Sequence, residues 1–181
     1  MRTRVLAVPA VFSLALVLSG CNAPMGPSVP MEAAKDAADP ACAEVMVRLP
    51  LELEGMPKRA TNAQATTAYG SPAAVLVRCG VETPPPTTDR CLSVNGVDWV
   101  ENDREAPMYV YTTYGRTPAV EVVIDSTQAS GSVLAGISSQ MTYLPQTGAC
   151  IGAEDLEIED GTVAPATPGA SEAPVQEPSG P

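Results

Sequence analysis

Cys21 stands at the end of Leu18-Ser19-Gly20-Cys21, where small residues at 19 and 20 let the chain enter a peptidase cleft in extended form and the thiol can take a diacylglyceryl thioether. The other cysteines, Cys42, Cys79, Cys91 and Cys150, offer a different chemistry. An even number of thiols in an exported chain predicts two disulfides. Three pairings exist, and the favoured ones join Cys79 to Cys91 across a proline-rich loop and Cys42 to Cys150 across the domain. Closing a loop of that second length is worth about 4 to 5 kcal/mol in the chain-entropy picture. Zinc is a poor rival, because no two cysteines have C-x-x-C spacing and the chain contains no histidine.

The missing histidine also removes Ser-His-Asp and Cys-His catalysis. Carboxylates remain: Asp98, Glu101, Asp103 and Glu105 lie close together, and two of them set apart across a sugar would suffice for glycoside hydrolysis. The ordinary reading of this cluster is a solvated strand end, with Arg104 inside it. Arg116 follows Gly115 in a turn, where its guanidinium is either a bidentate fork for a ligand carboxylate or phosphate, or a turn arginine paired with Glu121 or Asp98. Trp99 reads as a core anchor, while Tyr109, Tyr111 and Tyr114 read as strand residues or as the lining of an exposed face. Glu154, Asp155, Glu157, Glu159 and Asp160 read as a solvated tail, the rival reading being a calcium or basic-partner contact. No cofactor motif is present.

The elements that must position these groups begin with an address. Arg2 and Arg4 precede an apolar run over residues 5–18, broken only by Ser13 and loosened by Pro9. That run is shorter than the ~20 residues a membrane-crossing helix needs. With Cys21 it predicts a lipoprotein signal peptide over residues 1–20; a chance cysteine after an ordinary signal is the alternative. Acyl chains on Cys21 would hold the mature chain at the extracytoplasmic face of the plasma membrane. The charge of −11 becomes more negative once Arg2 and Arg4 leave, and no Lys or Arg follows Arg116. Nucleic acid is therefore excluded as a partner, since it rewards clustered positive charge. The expected partners are the membrane, through lipid on Cys21, and an envelope protein or polymer.

Residues 21–39, rich in Ala, Pro and Gly, read as a lipidated flexible tether, with order beginning at Asp39. A single domain is expected over residues 40–152 and a disordered tail, acidic and then Pro/Ala/Gly-rich, over residues 153–181. Asp39 as cap, Pro40 in the first turn and the stripe Cys42, Val45, Met46, Leu49 predict a helix ending before Pro50. Leu51 and Leu53 alternate with glutamates in an extended stretch over residues 50–59. Residues 61–69 are ambiguous and compatible with a polar helix. The Val-rich run over residues 73–81 predicts a strand, and the triple proline at 84–86 a loop.

Asn95-Gly96 predicts a two-residue hairpin turn pairing Val94 with Val97 and Leu92 with Trp99, all on one face, with Ser93 and Asp98 on the other. Residues 109–114 and 119–125 predict a second hairpin. After Ser130 or Ser132 as cap, Val133, Leu134, Ile137, Met141 and Leu144 predict a second helix. The sum is an α+β domain: a mainly antiparallel sheet with two helices on one face and two disulfides.

The runs Arg78-Cys79-Gly80-Val81, Cys91, Val94-Asn95-Gly96-Val97-Asp98-Trp99 and residues 112–122, centred on Tyr114-Gly115-Arg116-Thr117-Pro118, resemble actinobacterial lipoproteins grouped as a domain of unknown function, DUF3515. The likeness extends from about Cys42 to Cys150; Tyr69 stands where that family more often has tryptophan. The resemblance implies an envelope lipoprotein of high-GC Gram-positive bacteria, and brings no activity with it. The leading expectation is thus a non-catalytic binding module of the envelope. The competing one is a carboxylate-dependent enzyme acting on cell-wall glycan through Asp98 or Glu101.

Overall fold

A computed structural model describes residues 27–151, together with the backbone of residues 156–159 and 162–165. Helix α1 (Pro40–Arg48) starts as its sequence requires: the Asp39 carboxylate accepts the Ala41 N–H at 2.8 Å and Pro40 needs no partner. Its far end is held from the sheet. Lys58 Nζ donates to the carbonyls of Met46 (3.1 Å) and Leu49 (3.3 Å), which have no acceptor role left inside the helix.

Eight strands form one antiparallel sheet: β1 (Glu52–Leu53), β2 (Met56–Arg59), β3 (Thr66–Tyr69), β4 (Val75–Val81), β5 (Cys91–Val94), β6 (Val97–Glu105), β7 (Met108–Thr113) and β8 (Ala119–Asp125). Their spatial order is β1-β2-β3-β4-β8-β7-β6-β5. The chain therefore climbs to β4, leaps along residues 82–90 to the far edge, and returns strand by strand until β8 closes on β4. Helix α2 (Val133–Met141) follows. The α+β expectation holds at this level, with the sheet, two helices and two disulfides in place.

Local chemistry is reproduced where it was strongest. Asn95 and Gly96 take φ of 51° and 75°, as a type I′ turn demands, and Val94 pairs with Val97 and Leu92 with Trp99. The ambiguous stretch resolves against the helix: residues 66–69 form β3, with Thr67 opposite Val77 and Tyr69 opposite Val75. Burial decides this, because Thr67, Ala68 and Tyr69 are all covered once β4 lies alongside.

Alternation along the strands sends Val75, Val77, Val97, Trp99, Val120, Val122 and Ile124 into the core with Cys42, Val45 and Leu49 of α1 and Leu134, Ile137 and Met141 of α2. Trp99 is fully buried, and its indole N–H donates to Ser138 Oγ at 3.0 Å, whose own hydrogen goes to the Leu134 carbonyl. Tyr69 and Tyr111 are buried at the rim of this core, and burial pushes both phenols above their ordinary range near pH 10. The unfolded chain releases these protons first, so their contribution to stability is present below about pH 10 and lost as the pH rises through the folded values. In alkaline titration at 295 nm, two of the five tyrosines should ionise only as the single tryptophan's fluorescence reports unfolding. The double substitution Tyr69→Phe, Tyr111→Phe should flatten that dependence; simple ionisation of all five near pH 10 would contradict it.

Two chain segments outside residues 40–152 also carry described structure. The tether does not reach Asp39, because residues 27–39 lie on the sheet: Arg59 Nη2 donates to the Pro27 carbonyl (2.7 Å), Val29 N–H to Ala60 O (2.9 Å) and Asp36 N–H to Gly80 O (3.0 Å). Gly80, at φ +95°, is required there, since a Cβ would overlap the backbone of Asp36 and Ala37. Beyond Cys150, β9 (Leu156–Glu159) and β10 (Thr162–Pro165) pair as a small antiparallel hairpin in what reads as tail. Residues 1–20, Cys21 and the side chains of the acidic run 154–160 fall outside the described residues. Among the described residues no helix is long and apolar enough to cross a membrane.

Candidate binding site

The four described cysteines form two disulfides but not in the expected pairs: Cys42 is joined to Cys79 and Cys91 to Cys150, with Cα–Cα separations of 5.5 and 6.4 Å. Strands β8, β7 and β6 stand between Cys79 on β4 and Cys91 on β5. Four inter-strand steps of about 4.8 Å put these residues far beyond the ~7 Å limit for a disulfide. Cys42 cannot meet Cys150 either. It bonds to Cys79, which alternates with Val77 on the Trp99 side of the sheet, whereas Cys150 donates its N–H to Asp98, on the other side.

Arg116 is likewise not an exposed ligand contact. It is 5% exposed, and its guanidinium donates to the carbonyls of Leu144 (3.0 Å) and Gly96 (3.3 Å) and to Gln146 Oε1 (3.4 Å). Burial lowers its pKa and the nearby Asp98 carboxylate opposes that, so it keeps its charge. Neither expected carboxylate pairs with it: among the described residues Arg116 forms no ion pair with Asp98, and Glu121 is taken by Arg78 at 2.6 Å. The adjacent Gly115, at φ +62°, offers its carbonyl to Thr147 N–H (2.6 Å) and Gly148 N–H (3.1 Å), and a Cβ there would overlap the Gly148 carbonyl. Asn95 Nδ2 reaches Ala135 O at 3.0 Å, and Asp98 Oδ2 accepts the Cys150 N–H at 2.8 Å.

These side chains share one task. Asn95, Asp98, Trp99, Gly115 and Arg116 sit on the two hairpins β5–β6 and β7–β8, and each grips part of residues 133–150. The motif residues that look reactive in the sequence build the seat of the C-terminal segment of the domain, residues 133–150.

The carboxylate cluster is divided by strand parity. Asp98 and Glu101 are three positions apart on β6, so they project to opposite faces. Glu101 accepts from Arg90 (3.2 Å) and Tyr111 (3.4 Å); Asp103 and Glu105 are exposed. The tyrosines divide in the same way: Tyr109 and Tyr111 follow the core side, and Tyr114 the Asp98 side.

On that Asp98 side lies a groove of about 720 Å³. Its floor is the outer face of β5 and β6, with Ser93, Asp98 and Val100; one wall is the β4–β5 crossing at residues 86–89, and the other is residues 149–151 with the Cys91–Cys150 bridge. Tyr114 completes the lining. Thr87 and Thr88 are exposed along one rim, and Ile151 is 56% exposed on the other. Asp89 is held by Arg104 at 3.3 Å. Among the described residues no Lys or Arg lines the groove. Hairpin parity alone marks Ser93 and Asp98 as sharing the outer face, but the walls come from segments that are remote in the chain and leave no local signal. Among the described residues no three cysteine, aspartate or glutamate side chains converge in a way that would hold a metal ion.

No curated protein and no solved structure matches the chain. The family described as Protein of unknown function (DUF3515) matches residues 3–148, a span that contains both hairpins and the seat they build, and the chain belongs to that family.

Proposed function

We propose that this protein is a lipid-anchored, extracytoplasmic binding module of the cell envelope that catalyses no reaction. The observation that carries the reading is the inward use of the motif side chains beside an open groove: Asp98, Trp99 and Arg116 hold the fold together, and the accessible surface next to them is concave. Two disulfides suit an oxidising compartment, and Leu18-Ser19-Gly20-Cys21 supplies the export and lipidation signal. The likeness to actinobacterial lipoproteins points the same way. Asp98 and Glu101 do not flank one bond from opposite faces of a strand, which favours binding over glycoside hydrolysis.

Helix α1 reaches the sheet through Cys79 and α2 through Trp99, residues on the same side, so both helices share one face in this reading. The opposite face then carries residues 27–39 at one end and the groove at the other. With Cys21 acylated, the six residues to Pro27 span at most about 20 Å. Pro27 is fastened to β2 by Arg59, five strand positions and about 24 Å from β6. The short leash turns the β2 end toward the bilayer and the groove away from it.

Metabolic labelling with an alkyne fatty acid should mark the wild-type protein in the membrane fraction, while Cys21→Ala should be unlabelled and released. The purified protein should liberate no reducing ends from isolated wall polymer. An unlipidated wild-type Cys21, or sugar release abolished by Asp98→Asn, would overturn the reading.

A further inference from the structure

We infer that the groove between residues 86–89 and residues 149–151 binds an uncharged, polyhydroxylated chain, the chemistry of an envelope glycan. This deepens the binding reading above and rests on it.

The lining explains the ligand class. Thr87, Thr88, Ser93 and Tyr114 contribute four hydroxyls, each able to donate and accept, as a row of sugar hydroxyls requires. Asp98 adds a carboxylate oriented by the Cys150 N–H at one oxygen, and no described residue donates to its other oxygen, which can take a sugar hydroxyl. Val100, Ile151 and the Tyr114 ring offer apolar surface to the C–H faces of a pyranose. The volume, about 720 Å³, falls inside the ~300–1,000 Å³ range of small-ligand sites.

Charge narrows the choice further. Among the described residues the only charged side chains in the lining are Asp89 and Asp98, so a phosphate-bearing polymer finds no cation there. A basic peptide is also less suited, because the two carboxylates of the lining already have partners: Asp89 has Arg104, and one oxygen of Asp98 has the Cys150 N–H. What remains in excess is neutral hydroxyl chemistry.

The test uses the full-length protein in detergent micelles, with ¹⁵N shifts followed during titration with N-acetylglucosamine tetramer and with galactan, arabinan and mannan oligosaccharides, and separately with a lysine hexapeptide and with polyglycerol phosphate. At least one neutral oligosaccharide should shift the amides of Ser93, Asp98, Tyr114 and Ile151 saturably. Ser93→Trp, which fills the groove from an exposed position, should weaken that binding at least tenfold with an unchanged melting temperature. Thr88→Ala provides a second, milder variant on the opposite wall and should weaken it two- to fivefold. Shifts with the peptide or the polyphosphate but none of the sugars would overturn the inference, as would no shift with any probe, or sugar binding indifferent to Ser93→Trp. None of these failures touches the fatty-acid labelling of Cys21, so the anchored-module reading stands or falls separately.

Discussion

Removing the Cys42–Cys79 bridge by the paired substitution Cys42→Ala, Cys79→Ala is expected to lower stability by about 3 to 4 kcal/mol, measured by urea unfolding with the single buried tryptophan as reporter. The loop it closes is 37 residues, and both sulfurs are fully buried between α1 and β4, so the loss combines freed chain entropy with a small cavity in the core. The second bridge has a different exposure. Cys91 is exposed on the edge strand and Cys150 half-buried, so dithiothreitol under native conditions should open Cys91–Cys150 first, leaving Cys42–Cys79 intact. Alkylation followed by peptide mapping reads this directly. Labelling of all four cysteines at one rate, or a peptide joining Cys79 to Cys91, would refute the topology.

Arg116→Met should destabilise the domain by about 3 to 5 kcal/mol, because it strips the donors from two backbone carbonyls and removes the cation next to Asp98. The damage is local to one end: Leu144 just beyond α2, the Asn95-Gly96 turn and Gln146 lose their common tie. Arg116→Lys should recover only part of the loss, since one ammonium cannot reach Leu144, Gly96 and Gln146 in a fixed fork. Urea unfolding checks both variants. A cost below about 0.5 kcal/mol, the size of a surface substitution, would return Arg116 to the role of ligand contact.

The contrast between these two cases shows where sequence reasoning holds. The Asn95-Gly96 hairpin is legible down to its register, because turn chemistry and two-residue alternation are both written within ten residues. Helix α1 is legible for the same reason, through Asp39, Pro40 and the apolar stripe. Residues 61–69 are not, since Thr-Thr-Ala-Tyr becomes a strand only when β4 supplies its partner. Arg116 shows the same limit at the level of one side chain. A guanidinium beside a turn glycine looks free until residues 144–148 fold back over it.

The sequence by itself determined the number of oxidisable thiols available, both helices, the hairpins β5–β6 and β7–β8 and the sides on which Ser93, Asp98 and Trp99 emerge. Only the tertiary structure decided which cysteines bond, that residues 27–39 lie on the sheet, that Arg116 is a tie and that a groove opens beside it. The physical reason is distance along the chain. Turns, caps and alternation depend on neighbours a few residues away, whereas the leap from β4 to the far edge sets the position of Cys79, Cys91 and the groove walls through contacts between segments dozens of residues apart.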